Sequence, residues 1–204
     1  MQSRKLLVLL GPQGSGNHMF SKLFALHPDV FGWQQLTEQY WLRHEFEPFN
    51  RVWQDPAHWD SIKIDQAFAV TSCSVPCVVD RQHQVPNVSG FLAAANANGW
   101  QPTVAVIGRD LNILQHQQQR VRGEVTVHRF MQQLDSITAA WPTTFISHEL
   151  VVLYGARYLR ELSERLAFPV AWDDPRVEEI LAVNANANYV QPAAAQPADS
   201  LVWG

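Results

Sequence analysis

The chain has 204 residues, a formal net charge of −4, and 47% hydrophobic and 11% aromatic residues. This length and composition suffice for one full hydrophobic core, which excludes global disorder and two complete domains. Nineteen acidic residues outnumber fifteen basic ones, so the surface lacks the positive charge of a nucleic-acid-binding protein. No apolar run approaches the roughly 20 residues that cross a bilayer, and the first apolar stretch is too short for a signal peptide. We therefore expect a cytoplasmic protein with no nucleic-acid or membrane partner.

Helices and strands are predicted to alternate along the chain. Runs that are apolar on both faces indicate buried strands, and apolar residues at helical spacing indicate helices. This order predicts an α/β fold of three layers, in which helices cover both faces of a mostly parallel sheet. The predicted strands are 6–10, 76–80, 103–108, 143–147 and a short 169–172, and the predicted helices are 19–26, 89–98, 111–121, 128–141, 154–166 and 175–183.

One domain is predicted over residues 1–190. Within it, residues 31–66 have poor periodicity and two interrupting prolines, so we interpret them as an insertion that forms a lid or an acceptor-binding region. This insertion holds four of the eight tryptophans. Core packing is the favoured role for most of them, and stacking on a sugar or adenine ring is the alternative. Residues 191–204, rich in Ala, Pro and Gln, are predicted to be a flexible tail.

A glycine-rich loop follows the first predicted strand and precedes the first helix. Its glycines allow backbone N–H groups to turn inward around an anion, with help from the helix dipole. Asn17 stands where nucleotide kinases have Lys, and His18 stands where they have the Ser or Thr that binds Mg²⁺. A tight turn without a ligand is the alternative. The residues predicted to bind the anion are Gly14, Ser15, Gly16, Asn17 and His18.

The carboxyl ends of the predicted strands are expected to meet at one site. In parallel α/β sheets, ligands bind beyond these ends. The converging segments would be 11–17, 80–83, 108–110 and 147–149. Arg109 lies at one of these ends, where its guanidinium could contact a phosphate in bidentate fashion. Pairing of Arg109 with a local acid is the alternative.

The two cysteines, Cys73 and Cys77, provide neither a disulfide framework nor a complete zinc site. Their spacing permits a local disulfide, but two ordinary thiols are the favoured interpretation. We expect no metal site in the protein.

The sequence resembles the P-loop sulfotransferases, which have a P-loop NTPase-like fold. The resemblance lies in the loop and helix Gly-Ser-Gly-Asn-His-Met-Phe at 14–20 and in Leu-Phe-Ala-Leu-His-Pro-Asp-Val at 23–30. Segments 78–86, 104–110 and 145–150 are also similar to family motifs. The departures are Gly14 at the loop's basic position, Asn17 and His18 at its two Thr/Ser positions, and Gln117 where the family has Ser. The family's C-terminal Arg-Lys-Gly loop is absent; Arg120, Arg122 or Arg157 could substitute for it.

The resemblance implies transfer of a sulfuryl group from 3′-phosphoadenosine 5′-phosphosulfate to a hydroxyl acceptor, either a glycan or a small metabolite. The glycine loop would bind the 5′ end of this donor, and Arg109 and Gln117 would bind its 3′-phosphate.

Two residues are candidates for the catalytic base in this scheme. His83 matches the catalytic His of the family's Lys-Thr-His-x-Pro segment, in which Arg81 would match the Lys. A His hydrogen-bonded to the backbone is the alternative role for this residue. Glu38 lies several residues later than the catalytic Glu of other members, and it could equally belong to the first turn of a helix.

Two other functions remain open. One is a degenerate P-loop kinase or nucleotide hydrolase, which would need Mg²⁺ and a carboxylate such as Asp80. The other is a catalytically inactive protein of the same fold that binds a nucleotide or another anion.

Overall fold

The computed structural model describes residues 3–79 and 82–183. Its central sheet has five parallel strands with β1 in the middle, in the order β2-β3-β1-β6-β7, and β4 and β5 form a separate antiparallel hairpin. The α/β fold with a mostly parallel sheet is thereby confirmed. The strands are β1 (Arg4–Gly11), β2 (Val30–Phe31), β3 (Phe68–Ser74), β4 (Cys77–Val79), β5 (Gln82–Gln84), β6 (Trp100–Gly108) and β7 (Thr143–Ser147).

Helices cover both faces of the sheet. The α-helices are α1 (Asn17–Ala25), α2 (Gln34–Thr37), α3 (Asn50–Gln54), α4 (Val88–Ala97), α5 (Leu111–Arg122), α6 (Val127–Ala140), α7 (His148–Tyr154), α8 (Ala156–Leu166) and α9 (Arg176–Ala182), and two 3-10 helices span His44–Phe46 and Pro56–Ser61.

Alternation of side chains along β1 produces two cores. Leu7 and Leu9 pack in one core with residues of α1, α7, α8 and α9. Leu6, Val8 and Leu10 pack in the other core with residues of α3, α4 and α6. Because successive residues of a strand point to opposite faces, a continuous apolar run serves both cores at once. The result is the three-layer architecture expected from the sequence.

The second predicted strand, 76–80, is wrong as a member of the central sheet. On one side of β1 the neighbouring strand is β3 instead. The two strands pair in parallel, with Lys5 opposite Phe68 at one end and Gly11 opposite Ser74 at the other. Its second half, Thr-Ser-Cys-Ser, is polar but buried, because its hydroxyls bond to side chains elsewhere in the fold. A search for apolar runs therefore misses it.

Three smaller differences concern other elements. Residues 169–172 form no strand, the predicted helix 154–166 is interrupted at Gly155 between α7 and α8, and the two-residue β2 was not predicted. In residues 31–66, Trp33, Trp53 and Trp59 are buried, so core packing accounts for these three tryptophans. Within residues 3–79 and 82–183, no helix is both long and apolar enough to cross a membrane. Asp80, Arg81 and residues 191–204 lie outside the described residues.

Candidate active site at the carboxyl edge of the sheet

The glycine loop lies at the carboxyl end of β1, and two side chains of the α5 region bind its carbonyl groups. Gln118 donates from Nε2 to the carbonyl of Gln13 at 2.7 Å. The next carbonyl, that of Gly14, accepts a hydrogen bond from Arg109. Both carbonyl groups are thus engaged by protein donors. Since the Ser15 N–H donates to the carbonyl of Pro12 at 3.0 Å, it is the N–H groups where the loop enters α1 that could face an anion.

The amino terminus of α1 has no side-chain cap. Its N-cap is Gly16, whose φ of 107° lies in the left-handed region that favours glycine. By contrast, Asn87, Asp110 and Ser147 cap α4, α5 and α7 through their side chains. The first-turn N–H groups of a helix lack intrahelical partners and carry the positive end of its dipole. This end of α1 is therefore suited to an anionic ligand.

The side chains of Ser15 and Asn17 are turned into the fold. A Cβ at Gly11 would lie 2.2 Å from Ser15 Oγ, so the side chain of Ser15 packs against the end of β1, and its N–H donates to the carbonyl of Pro12 at 3.0 Å. Asn17 donates from Nδ2 to Ser74 Oγ at 2.9 Å, and its Oδ1 has no hydrogen-bond partner among residues 3–79 and 82–183. Because the Ser74 hydroxyl can also donate, rotation of the Asn17 amide would free Nδ2 for an anion.

His18 binds the segment that follows α2. Its Nε2 lies 2.9 Å from the carbonyl of Leu42; a carbonyl only accepts, so Nε2 carries the proton. Burial lowers the pKa of His18, and the neutral ring packs against Trp33 and His44. One turn later, Lys22 donates from Nζ to a carbonyl of the same segment at 3.0 Å. The donor nitrogen of His18 is therefore committed to the protein.

Arg109 and Gln117 meet beside the loop, with 3.1 Å between Arg109 Nη1 and Gln117 Oε1. Arg109 directly follows β6, and Gln117 lies in the second turn of α5. A Cβ at Gly14 would lie 3.2 Å from the same Gln117 oxygen. The structure thus brings these two predicted site residues together against the loop.

His148 is a further residue of this site, at the junction of β7 and α7. A Cβ at Gly16 would lie 2.7 Å from its Cδ2, so the imidazole covers the N-cap of α1. Burial, followed by the positive charge of Arg109, lowers its pKa to about 4, although Glu149 opposes the shift. His148 is consequently neutral near pH 7. Its position directly after a predicted strand was the only indication of this role in the sequence.

The two candidate bases lie in different surroundings. His83 is in the β4–β5 hairpin instead of at the end of a central strand, and its Nδ1 is 2.6 Å from Glu124 Oε1. Glu38 lines a groove of about 430 Å³ with His27 and Arg176. This groove adjoins the carboxyl end of α1, whereas the loop adjoins its amino end. A nine-residue helix is about 13 Å long, so the structure does not bring Glu38 to the loop.

A buried carboxyl group, Glu47, lies against the carboxyl half of β3. Its Oε1 accepts from Thr71 Oγ1 at 2.7 Å, and its Oε2 accepts from the N–H of Phe49 at 2.7 Å. Trp53 donates to the same threonine hydroxyl at 2.9 Å. Burial raises the pKa of Glu47 to about 8 in spite of these hydrogen bonds. The sequence offered no indication that this acid would be buried.

Arg120 and Arg157 are exposed, and the side chain of Arg122 lies outside the described part of the chain. Among the described residues, no group of three or more His, Cys, Asp and Glu side chains is arranged to hold a metal ion.

Similarity to known proteins is found among solved structures. No family model matches the sequence, and no curated protein matches it. Among solved structures, the chain is similar to mouse sulfotransferase SULT7A1 complexed with PAP, with 12% sequence identity and a TM-score of 0.46. The match covers 96% of this chain and 68% of that chain. At this score and identity, the likeness carries no argument about the ligand or activity of the present protein.

Proposed function

We propose that this protein is a sulfotransferase that uses 3′-phosphoadenosine 5′-phosphosulfate as donor and a hydroxyl compound, a glycan or a small metabolite, as acceptor. The main support for this proposal is that Arg109 and Gln117 are hydrogen-bonded to each other beside Gly14. It puts a guanidinium and a carboxamide next to the uncapped end of α1. One nucleotide with phosphates at two positions could engage both places, the 5′ group on residues 14–18 and the 3′-phosphate on Arg109 and Gln117.

The surroundings of His18 favour this donor over a Mg²⁺ nucleotide. Kinases of this loop type place a metal-binding hydroxyl at this position and a lysine just before it. Here the positions hold His18, whose Nε2–H donates to Leu42, and Asn17, whose amide bonds to Ser74. Backbone N–H groups and the Arg109 guanidinium could bind the phosphate oxygens of a bisphosphate without a metal ion.

In the proposed reaction, the acceptor oxygen attacks sulfur as the bond from sulfur to the phosphate oxygen breaks. The leaving group is adenosine 3′,5′-bisphosphate, whose charge the first-turn N–H groups of α1 and the guanidinium would stabilise. His83 would take the hydroxyl proton. Because the Glu124 carboxylate accepts from Nδ1–H of His83, Nε2 of the neutral ring is left as a proton acceptor. Glu38, in the distant groove, fits this role less well.

Calorimetric titration tests the proposal. The protein is titrated with adenosine 3′,5′-bisphosphate, adenosine 5′-phosphate, and ATP with MgCl₂. We expect metal-independent binding of the bisphosphate, stronger than that of the monophosphate by roughly ten- to a hundredfold, as a charge-assisted contact provides. Arg109→Ala should abolish this preference, whereas the exposed Arg51→Ala should leave it intact. Equal binding of the two adenosine phosphates, or preference for ATP with Mg²⁺, would overturn the assignment.

Turnover tests the base separately. With ³⁵S-labelled donor and a panel of sugars and phenols, His83→Asn should stop transfer while bisphosphate binding is retained. Undiminished transfer by this variant would remove His83 from the mechanism.

A further inference from the structure

The two cysteines line one cavity beside the carboxyl half of β3. Cys73, near the end of β3, is buried, and Cys77, at the start of β4, is half-buried. Both line a cavity of about 170 Å³ that is also lined by Glu47 and His44. The Cys73 thiol donates to the carbonyl of Ser74 and the Cys77 thiol to the carbonyl of Gln84, each at 3.5 Å. Both cysteines are therefore reduced, four residues apart, and reachable from one cavity.

The neighbours of Cys73 on β3 bind the first two turns of α1. Ser72 Oγ accepts a hydrogen bond from Ser21 Oγ at 2.7 Å, and Ser74 Oγ accepts from Asn17 Nδ2 at 2.9 Å. Cys73 lies between these two serines. A displacement of the β3 backbone at Cys73 would therefore act directly on the helix end that forms the anion site.

The two thiols differ in reactivity. Interaction with the Cys73 side chain lowers the pKa of Cys77, since the neighbouring thiol stabilises the Cys77 thiolate. The same interaction, together with burial, raises the pKa of Cys73. Thiolates are the nucleophilic form of cysteine, and exposed thiolates are oxidised first. Cys77 is thus the residue that reacts with an oxidant, and Cys73 is the thiol beside it.

We propose that Cys73 and Cys77 form a peroxide-sensitive dithiol whose oxidation to a disulfide loosens the anion-binding end of α1. In the first step, Cys77 attacks hydrogen peroxide, the O–O bond breaks, and the products are a sulfenic acid and water. In the second step, Cys73 attacks that sulfur, the S–O bond breaks, and a second water leaves. Two thiols and one peroxide thus become one disulfide and two waters. An S–S bond of about 2.05 Å draws the two sulfurs together and removes their hydrogen bonds to the carbonyls of Ser74 and Gln84, and the proposal is that β3 shifts at Cys73 in response. The consequence for ligand binding rests on the proposed function, whereas the oxidation itself does not.

The test begins with the full chain, reduced and then treated with one equivalent of hydrogen peroxide. Non-reducing peptide mass spectrometry should find the bridge within one chain, reversible by dithiothreitol. Cys77→Ser should form no bridge, and Cys73→Ser should accumulate a Cys77 sulfenic acid that dimedone traps. Circular dichroism checks that both variants fold. Absence of an intramolecular disulfide in the natural chain would overturn the proposal.

Two further measurements then test whether oxidation changes the glycine loop and its ligand binding. Amide hydrogen exchange of residues 14–21 should become several-fold faster on oxidation of the natural chain and stay unchanged in Cys77→Ser. The dissociation constant of adenosine 3′,5′-bisphosphate should rise roughly fivefold, as loss of one hydrogen bond would produce. If the reduced protein binds no bisphosphate, the proposed function fails, and the exchange measurement still decides this inference. Unchanged exchange in a protein shown to carry the disulfide would refute the link to the loop.

Discussion

Replacement of Glu47 by Gln tests the energetic consequence of burying this carboxyl group. Gln has nearly the same size, keeps an oxygen that can accept from Phe49 N–H, and does not titrate. In the natural protein, burial raises the pKa of Glu47 from 4.5 to about 8. Between these values the folded protein holds a proton that the unfolded chain has released. The contribution of Glu47 to stability must therefore fall as the pH rises through this window.

The size of the effect follows from the two pKa values. Integration of proton binding from pH 5 to pH 7 gives a loss of about 2.5 kcal/mol in the contribution of Glu47 to the free energy of unfolding. The Gln variant lacks this contribution. Any hydrogen bond that it loses to Thr71 or Phe49 lowers its stability equally at both pH values, so that cost cancels in the slope. The comparison of slopes thus isolates the titration of one group.

Urea denaturation at pH 5, 6 and 7 measures the effect. The stability of Glu47→Gln relative to the natural chain should rise by about 2.5 kcal/mol over this range. Glu45→Gln, an exposed neighbour, should run parallel to the natural chain. If Glu47→Gln also runs parallel to it, then Glu47 does not titrate in this window, and the reasoning from its burial is refuted.

Two further substitutions test the packing and the loop. Phe91→Ala removes the ring that stacks on Trp53 with centroids 3.8 Å apart, and we expect denaturation to show a loss of about 3–5 kcal/mol; a loss below about 1 kcal/mol would contradict the packing described. Gly16→Ala places a Cβ 2.7 Å from His148 and puts a residue with a side chain in a left-handed backbone conformation. It should destabilise the protein by about 1–3 kcal/mol. It should also abolish bisphosphate binding in calorimetry. Gly99→Ala has a similar positive φ but open space around the new Cβ, so a loss equal to that of Gly16→Ala would exclude the His148 contact as a cause.

Local patterns were sufficient to predict the loop and the elements around it. The apolar run of β1, the glycines after it and the helical spacing of α1 are all short-range features. Arg109 was placed by the same logic, since a residue that ends a buried parallel strand lies at the ligand-binding edge. Gln117 follows two turns into the next helix, and its distance from Arg109 is largely set by helix geometry.

Long-range contacts explain what the sequence did not predict. The partners of the β3 hydroxyls lie 24 to 57 residues away, so the strand has no apolar pattern of its own. The burial of Glu47 depends on the same tertiary contacts. The neutral state of His148 likewise depends on burial and on Arg109. None of these properties is encoded within a short window of sequence. The functional roles of His83, Arg109 and Gln117 remain predictions that await the binding and turnover measurements.

The hydrogen bonds from Gln118 and Arg109 to consecutive loop carbonyls have a consequence for affinity. A loop held in this way loses its conformational freedom when the chain folds, so a ligand that arrives later does not have to order it. Preorganisation of this kind favours binding, because the entropy lost on ordering the loop does not lower the binding free energy. It also limits discrimination between anions, since a rigid loop adapts little to the shape of any one of them. Selectivity between ligands must then come from a second point of contact outside the loop.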